Sequence, residues 1–177
     1  MSCIWSDMRT AEANPHHGPV ATAPQRRGRR IAMTPEECNA FLSTERTCRV
    51  GTVGANGLPH VSPLWFVWDG RAMWLYSLSR SRRRADLRAS PAVSVVVDAG
   101  IDYDELRGVE LGGTVEVVGE EPRTGEPVAE LEEPERLMAA KYHGGGGLPH
   151  DGRHVWLRLV PDRAVSWDFR KISSLRP

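Results

Sequence analysis

Cys48-Arg-Val-Gly-Thr-Val53, Ala55-Asn-Gly57, Leu58-Pro-His-Val-Ser-Pro-Leu-Trp-Phe-Val-Trp68, Asp69-Gly70 and Ala72-Met-Trp-Leu-Tyr-Ser-Leu78 follow one another closely, and their reading decides the fold. The first, third and fifth pieces carry the β-branched, aromatic and apolar residues that suit strands. The second and fourth are two-residue hairpin signals, because Asn-Gly and Asp-Gly tolerate the positive φ angles of a tight turn. Three strands in two hairpins are therefore expected across residues 48–78. Pro59 and Pro63 lie inside the middle strand. Each removes a ladder donor, so one edge of that strand must go unpaired or bulge.

Upstream, Thr34-Pro35-Glu36-Glu37 reads as the start of a short helix: Thr34 as cap, Pro35 at the first position and Glu37 closing a capping box. Phe41 and Leu42 form its buried side. Downstream, Ser81–Ala89 reads as a second short helix stopped by Ser90-Pro91. Ala92–Val97 is a dense β-branched strand, apolar on both faces and so expected to be central. Ile101–Glu105 is a polar turn, and Arg107–Val118 is a long strand with a bulge or bend at Gly112-Gly113. Glu126–Tyr142 is helical but interrupted by Pro134, which predicts a kink or two short helices; Gly144–Gly147 is a flexible joint, and His154–Val160 and Ala164–Phe169 are two closing strands joined at Pro161-Asp162. Short strands in hairpins with few, small helices favour a closed antiparallel barrel: mainly β, about six to seven strands, with short flanking helices.

Residues 1–31, rich in Ala, Pro, Arg and His without periodicity, read as a tail. Residues 32–172 then form one domain, and residues 173–177 a short C-terminal tail. Lys plus Arg and Asp plus Glu are 23 each, so bulk charge offers no attraction to nucleic acid or an anionic membrane surface. Cys3, Cys38 and Cys48 have neither even number nor CxxC spacing, which argues against a disulfide framework or zinc knuckle. No apolar run has the length of a membrane span, and Arg26-Arg-Gly-Arg-Arg30 is not followed by a signal-peptide core. A cytoplasmic setting is expected.

The segment Tyr76-Ser-Leu-Ser-Arg-Ser-Arg-Arg-Arg-Ala-Asp-Leu-Arg88 passes from a strand end through hydroxyls into a helix with arginines in its first turn. Cations are unfavourable at a helix N-terminus, and an anion bound there reverses the sign. Backbone amides, the Ser77 and Ser79 hydroxyls and the Arg82 and Arg83 guanidinium groups can converge on one phosphate. A solvated arginine-rich helix face is the competing reading. On the preceding strand, Trp65 and Phe66 offer an apolar wall beside the free edge, where a planar heterocycle with carbonyl and N–H groups can dock. A barrel-closing bulge with its aromatics in the core is the alternative there.

These residues resemble the pyridoxamine 5′-phosphate oxidase-like split-barrel superfamily, and most nearly its actinobacterial branch that uses the deazaflavin coenzyme F420. The resemblance runs from about Thr34 to Lys171. It rests on Gly57-Leu-Pro-His-Val-Ser-Pro-Leu-Trp65, Trp74-Leu-Tyr-Ser77, Arg83-Arg-Ala-Asp-Leu-Arg-Ala-Ser-Pro91, Asp102-Tyr103, Leu106-Arg-Gly-Val109 and Ser166-Trp-Asp-Phe-Arg-Lys171. It implies an antiparallel split β-barrel that holds coenzyme F420, or alternatively FMN, at a homodimer interface and transfers hydride to a small unsaturated organic substrate. Arg83 takes the family's phosphate-binding position, with Arg82, Ser77 and Ser79 beside it. Val61, Ser62, Pro63, Leu64 and Trp65 line the ring, and Trp167, Asp168 and Lys171 reach toward a neighbour's site. Arg80, Arg84 and Lys171 are candidates to attract a longer anionic tail. Asp86 departs from the Asn that relatives often carry. The extended C-terminal region of the true pyridoxamine phosphate oxidases has no counterpart, so vitamin B6 oxidation is not expected.

No acid–base pair stands out, which is consistent with a cofactor that brings its own redox chemistry. His60 reads as a structural or solvated hairpin histidine, and His143, His150 and His154 lack metal-ligand spacing. Two other classes remain: a non-catalytic flavin- or haem-binding module of the same fold, and a nucleic-acid-binding barrel using the Arg80–Arg88 stripe.

Overall fold

A computed structural model describes residues 28–173. The expected tail at residues 1–31 lies outside the described residues except for 28–31, where Arg29–Ile31 form a 3-10 turn. Residues 174–177 of the expected C-terminal tail lie outside them too. Met33 belongs to the core, only 6% exposed, and its N–H donates to Ser166 Oγ at 3.0 Å.

Helix α1 (Pro35–Thr44) begins as its sequence dictates. The Thr34 hydroxyl accepts from the Glu37 N–H at 3.2 Å, and the Glu37 carboxylate accepts from the Thr34 N–H at 2.7 Å. Six strands follow: β1 (Thr47–Val53), β2 (Pro59–Trp68), β3 (Met73–Leu78), β4 (Ala92–Ala99), β5 (Arg107–Val118) and β6 (His154–Asp168). They close an antiparallel barrel in the order β1-β2-β3-β6-β5-β4. Both expected hairpins form. Gly57 has φ +77, and Asp69 Oδ1 accepts from the Arg71 and Ala72 N–H groups at 2.8 and 2.7 Å.

Three expectations need correction. The closing pair of strands is one strand, β6, running unbroken through Pro161-Asp162. The missing proline N–H is accommodated because Pro161 faces Gly113, where the β5–β6 register shifts at the expected bulge. Strand β4 is not buried on both faces: Val93, Val95 and Val97 point inward, while Ala92, Ser94 and Asp98 are exposed. The helical segment begins later than expected and comes in two pieces, a 3-10 turn (Ala129–Leu131) leading into α3 (Glu132–Tyr142); Pro134 falls in the first turn of α3, where no intrahelical donor is lost, rather than at the break.

The barrel interior is filled by Val50, Phe66, Met73, Leu75, Val95, Leu111 and Leu157, among others. A second apolar cluster lies outside the wall. There α3 covers Val67, Trp74, Trp156 and Val118 with Leu131 and Met138. Among the described residues, no helix covers the outer face of β1, β4 and the first half of β2 in this way, and Val53, Val61 and Trp65 are 46, 65 and 50% exposed on it. Among the described residues no helix is long and apolar enough to cross a membrane.

The wall is unevenly knit. The β1–β2 hairpin is paired along its full length, but β2 meets β3 only at Phe66–Trp68, and β1 meets β4 only at Arg49–Gly51.

Candidate functional site

The short β2–β3 seam creates the site. Beyond Phe66 the two strands diverge, so residues 59–65 of β2 pair with β1 on one edge and leave the other free, as the two prolines require. Helix α2 (Arg82–Ala89) is laid across this gap. Its cap is Ser81, whose hydroxyl accepts from the Arg84 N–H at 3.2 Å and donates to the Leu78 carbonyl at 2.8 Å. The helix expected to start at Ser81 starts one residue later, with Ser81 as its cap.

Arg83 bridges the opening. Its Nε and Nη2 donate to Ser77 Oγ on β3 at 3.3 and 3.2 Å, and its Nη1 donates to Ser62 Oγ on β2. Ser77 is fully buried and Arg83 only 6% exposed. Among the described residues no carboxylate lies within ion-pair distance of Arg83, and burial lowers its pKa from the usual guanidinium value. A buried cation supported only by neutral hydroxyls is costly unless an anion joins it. A phosphate bound at the gap would supply that anion.

The other predicted ligands divide. Val61, Pro63 and Trp65 alternate outward on β2 as an apolar strip, while Ser62 and Leu64 turn inward, Leu64 packing against the core. Trp65 is stacked on Tyr142, 4.5 Å between centroids and 13° between planes, which fixes the ring as one rigid wall. Arg82 is exposed at the mouth. Ser79 gives its hydroxyl to the Arg153 carbonyl at 2.9 Å, so it secures the 151–153 turn.

Trp167 and Lys171 do not join this site within one chain. Trp167 lies at the far end of β6, beside Asp168, whose carboxylate is paired with Arg170, and Lys171 lies in the short helix Arg170–Ser173 just beyond; both are twelve or more residues past Val155, the partner of Ser77. Trp167 covers Gly108, where an added Cβ would meet its ring at 2.4 Å, and Lys171 Nζ donates to the Ala32 carbonyl and the Glu37 carboxylate. The candidate tail-binding arginines also sort themselves. Arg84 forms a two-pronged pair with Glu121 at 2.8 and 2.7 Å, and Arg88 reaches the same carboxylate at 2.7 Å, which holds Glu121 below the usual carboxylate range. With Arg83 turned inward, Arg80–Arg88 is not a continuous cationic stripe. Arg80, by contrast, borders a cavity of about 590 Å³ with Leu78, Ser79, Pro122, Gly152 and Arg153.

The chain is a closed six-stranded antiparallel barrel with a short arginine-bearing helix set into a gap in its wall. The chain belongs to the pyridoxamine 5′-phosphate oxidase family, whose model matches residues 34–168. No curated protein matches the chain. Among solved structures, the conserved hypothetical protein Rv2991 from Mycobacterium tuberculosis is similar, with 29% identity, a TM-score of 0.71, and 84% of this chain and 93% of that one covered. A structure described as an F420 reductase shares 26% identity over 74% of this chain and 98% of its own, with a TM-score of 0.53. HutZ, described as a haem storage protein from Vibrio cholerae, shares the fold at 18% identity and a TM-score of 0.58, over 74% of this chain and 93% of that one.

Proposed function

We propose that this protein is a flavin- or deazaflavin-dependent oxidoreductase that holds coenzyme F420, or FMN, at a homodimer interface and serves hydride transfer to an unsaturated organic substrate. The observation that carries this reading is Arg83, a buried cation with hydroxyl partners and no carboxylate, at the open edge of β2. Membership of the family and the similarity to an F420 reductase support it.

The residues present fit such a group. Arg83, Ser77 and Ser62 hold its phosphate, with Arg82 at the mouth. Val61, Pro63 and Trp65 form the wall for its ring, and the free N–H and C=O groups of β2 match the ring's polar edge. A longer anionic tail runs into the cavity beside Arg80 and Arg153, rather than toward Arg84 or Lys171, whose charges are already met. The bound group supplies the two-electron chemistry, and the protein's part is binding, orientation and exclusion of water.

One chain offers only one wall. The uncovered outer face of β1, β2 and β4, with Val53, Val61 and Trp65, is the surface on which a second copy closes the ring pocket. Across it, the partner's Trp167 and Lys171 become reachable from a site they do not approach in their own chain.

The test is titration of purified protein with F420 and with FMN, followed by fluorescence quenching. Binding well below millimolar is expected; affinity no better than about millimolar, worth only about 4 kcal/mol, sinks the proposal. Binding without turnover by any reduced cofactor would instead make the protein a carrier module. Light scattering should report a dimer, and Val61→Glu, which places a charge on the apolar strip, should shift it to monomer and weaken ring binding together. A V61E protein that stays dimeric moves the interface elsewhere.

A further inference from the structure

Two rungs join α2 to β2. Arg83 reaches Ser62, and one helical turn further Asp86 reaches His60, two residues back on the same face of the strand. Asp86 is only 7% exposed. Its Oδ2 accepts from the Thr52 hydroxyl at 2.9 Å and lies 3.3 Å from His60 Nδ1. Nδ1 also lies 3.5 Å from the Thr52 hydroxyl, so this ring nitrogen faces Asp86 and Thr52, and Nε2, across the ring, is turned away from them. Among the described residues Nε2 makes no hydrogen bond, and it is open to solvent on a side chain 21% exposed.

We propose that His60 is a second donor to the anion held by Arg83, with Asp86 and Thr52 as positioning residues. The proposal rests on reading Ser62, Ser77 and Arg83 as a phosphate site. Successive same-face residues of a strand stand about 7 Å apart. Two oxygens of one phosphate, each accepting at about 2.8 Å, can bridge donors so spaced.

The electrostatics link the proton to the anion. Among the described residues, α2 brings the Asp86 carboxylate to 3.3 Å from His60 Nδ1, and Arg83 is directed at Ser62, two residues along the same strand. From β1 come the Thr52 hydroxyl and the buried Cys48 thiol, while Arg49 is directed to the outer face and paired with Asp98 at 3.0 Å. The hairpin at residues 54–58 contains no titratable residue. An anion that accepts from Nε2 as well as from Arg83 interacts more strongly with the imidazolium than with the neutral ring. Anion binding therefore draws a proton onto His60, and affinity is highest at low pH.

The experiment follows histidine ring signals by NMR while inorganic phosphate and then FMN are added, between about pH 5 and about pH 8, the span over which imidazoles titrate. His60 is identified by the signal lost in His60→Gln. The His60 signal should move saturably with phosphate, and this response should vanish in R83A. FMN affinity should be about tenfold tighter at the acid end than in H60Q, which keeps a donor but cannot gain charge. Comparison with H60Q removes the contribution of the ligand's own phosphate titration. Asp86→Asn should carry the affinity fall to lower pH. A His60 signal unmoved by phosphate and FMN, or an H60Q pH profile identical to wild type, overturns the proposal. If R83A still weakens FMN binding in that case, the phosphate site stands and only His60 is removed from it. If R83A binds normally, both readings fall.

Discussion

Arg83→Ala is expected to weaken binding of F420 or FMN by about 10- to 150-fold, the worth of one charge-assisted hydrogen bond at about 1.5–3 kcal/mol. The size follows from the geometry. Arg83 is the group through which β2, β3 and α2 meet, and it is 6% exposed with no carboxylate to share its charge. The same logic gives a second readout in the wild type. A ligand that binds only the folded state raises the midpoint of thermal unfolding, and here it also answers a buried charge. Wild type should therefore show a marked upward shift with ligand, and R83A little. Circular dichroism would establish that R83A is folded. Unchanged affinity in a folded R83A would move the phosphate elsewhere.

The largest effect on stability is expected at Arg123, a residue outside the site. Arg123 is 2% exposed; its Nε donates to Glu135 at 2.8 Å and its Nη1 donates to Glu120 and to the Glu126 carbonyl. Glu135 also receives the Trp156 indole N–H at 3.1 Å and lies 3.2 Å from His150 Nε2. This network ties the segment between β5 and α3 to the barrel wall. Arg123→Ala leaves the Glu120 and Glu135 carboxylates without their cation and the Glu126 carbonyl without its donor, a change more destabilising than loss of a surface ion pair. Thermal unfolding should fall by more than about 6 °C for a domain of this length. A fall of a degree or two would show that solvent reaches the pair freely.

Acid should reveal the same network. The Thr124 hydroxyl, and after it Arg123, hold Glu120 well below the usual carboxylate range against the opposing effect of desolvation. A carboxylate depressed in the folded state contributes stability above its unfolded pKa of about 4.3 and loses it as pH falls toward the folded value. The acid sensitivity of wild type should accordingly be steeper than that of R123A.

Local signals carried far into this fold. The Thr34 capping box, the turns at Asn56-Gly57 and Asp69-Gly70, the bulge at Gly112-Gly113 and the unpaired edge required by Pro59 and Pro63 are all set by residues close in sequence, and all are present. What was hidden depends on distant partners. Pro161 looks like a strand breaker until it is seen opposite the bulge at Gly113. The arginines between residues 80 and 88 look alike, yet Glu121, more than thirty residues away, absorbs Arg84 and Arg88, and the divergence of β2 from β3 turns Arg83 inward. His60 read as a solvated hairpin histidine because its carboxylate, Asp86, arrives from a helix 26 residues later. The departure from Asn at that position was the one clue in the chain.

The brevity of the two seams flanking the β1–β2 hairpin means that this stave is tied to its neighbours by three residue pairs on each side. Backbone amides along those seams should exchange with deuterated solvent sooner than those of the long β5–β6 ladder. A molecule gripped at once by the stave and by α2 would act as a stitch. Its arrival would slow exchange in the hairpin first, even at amides it never touches.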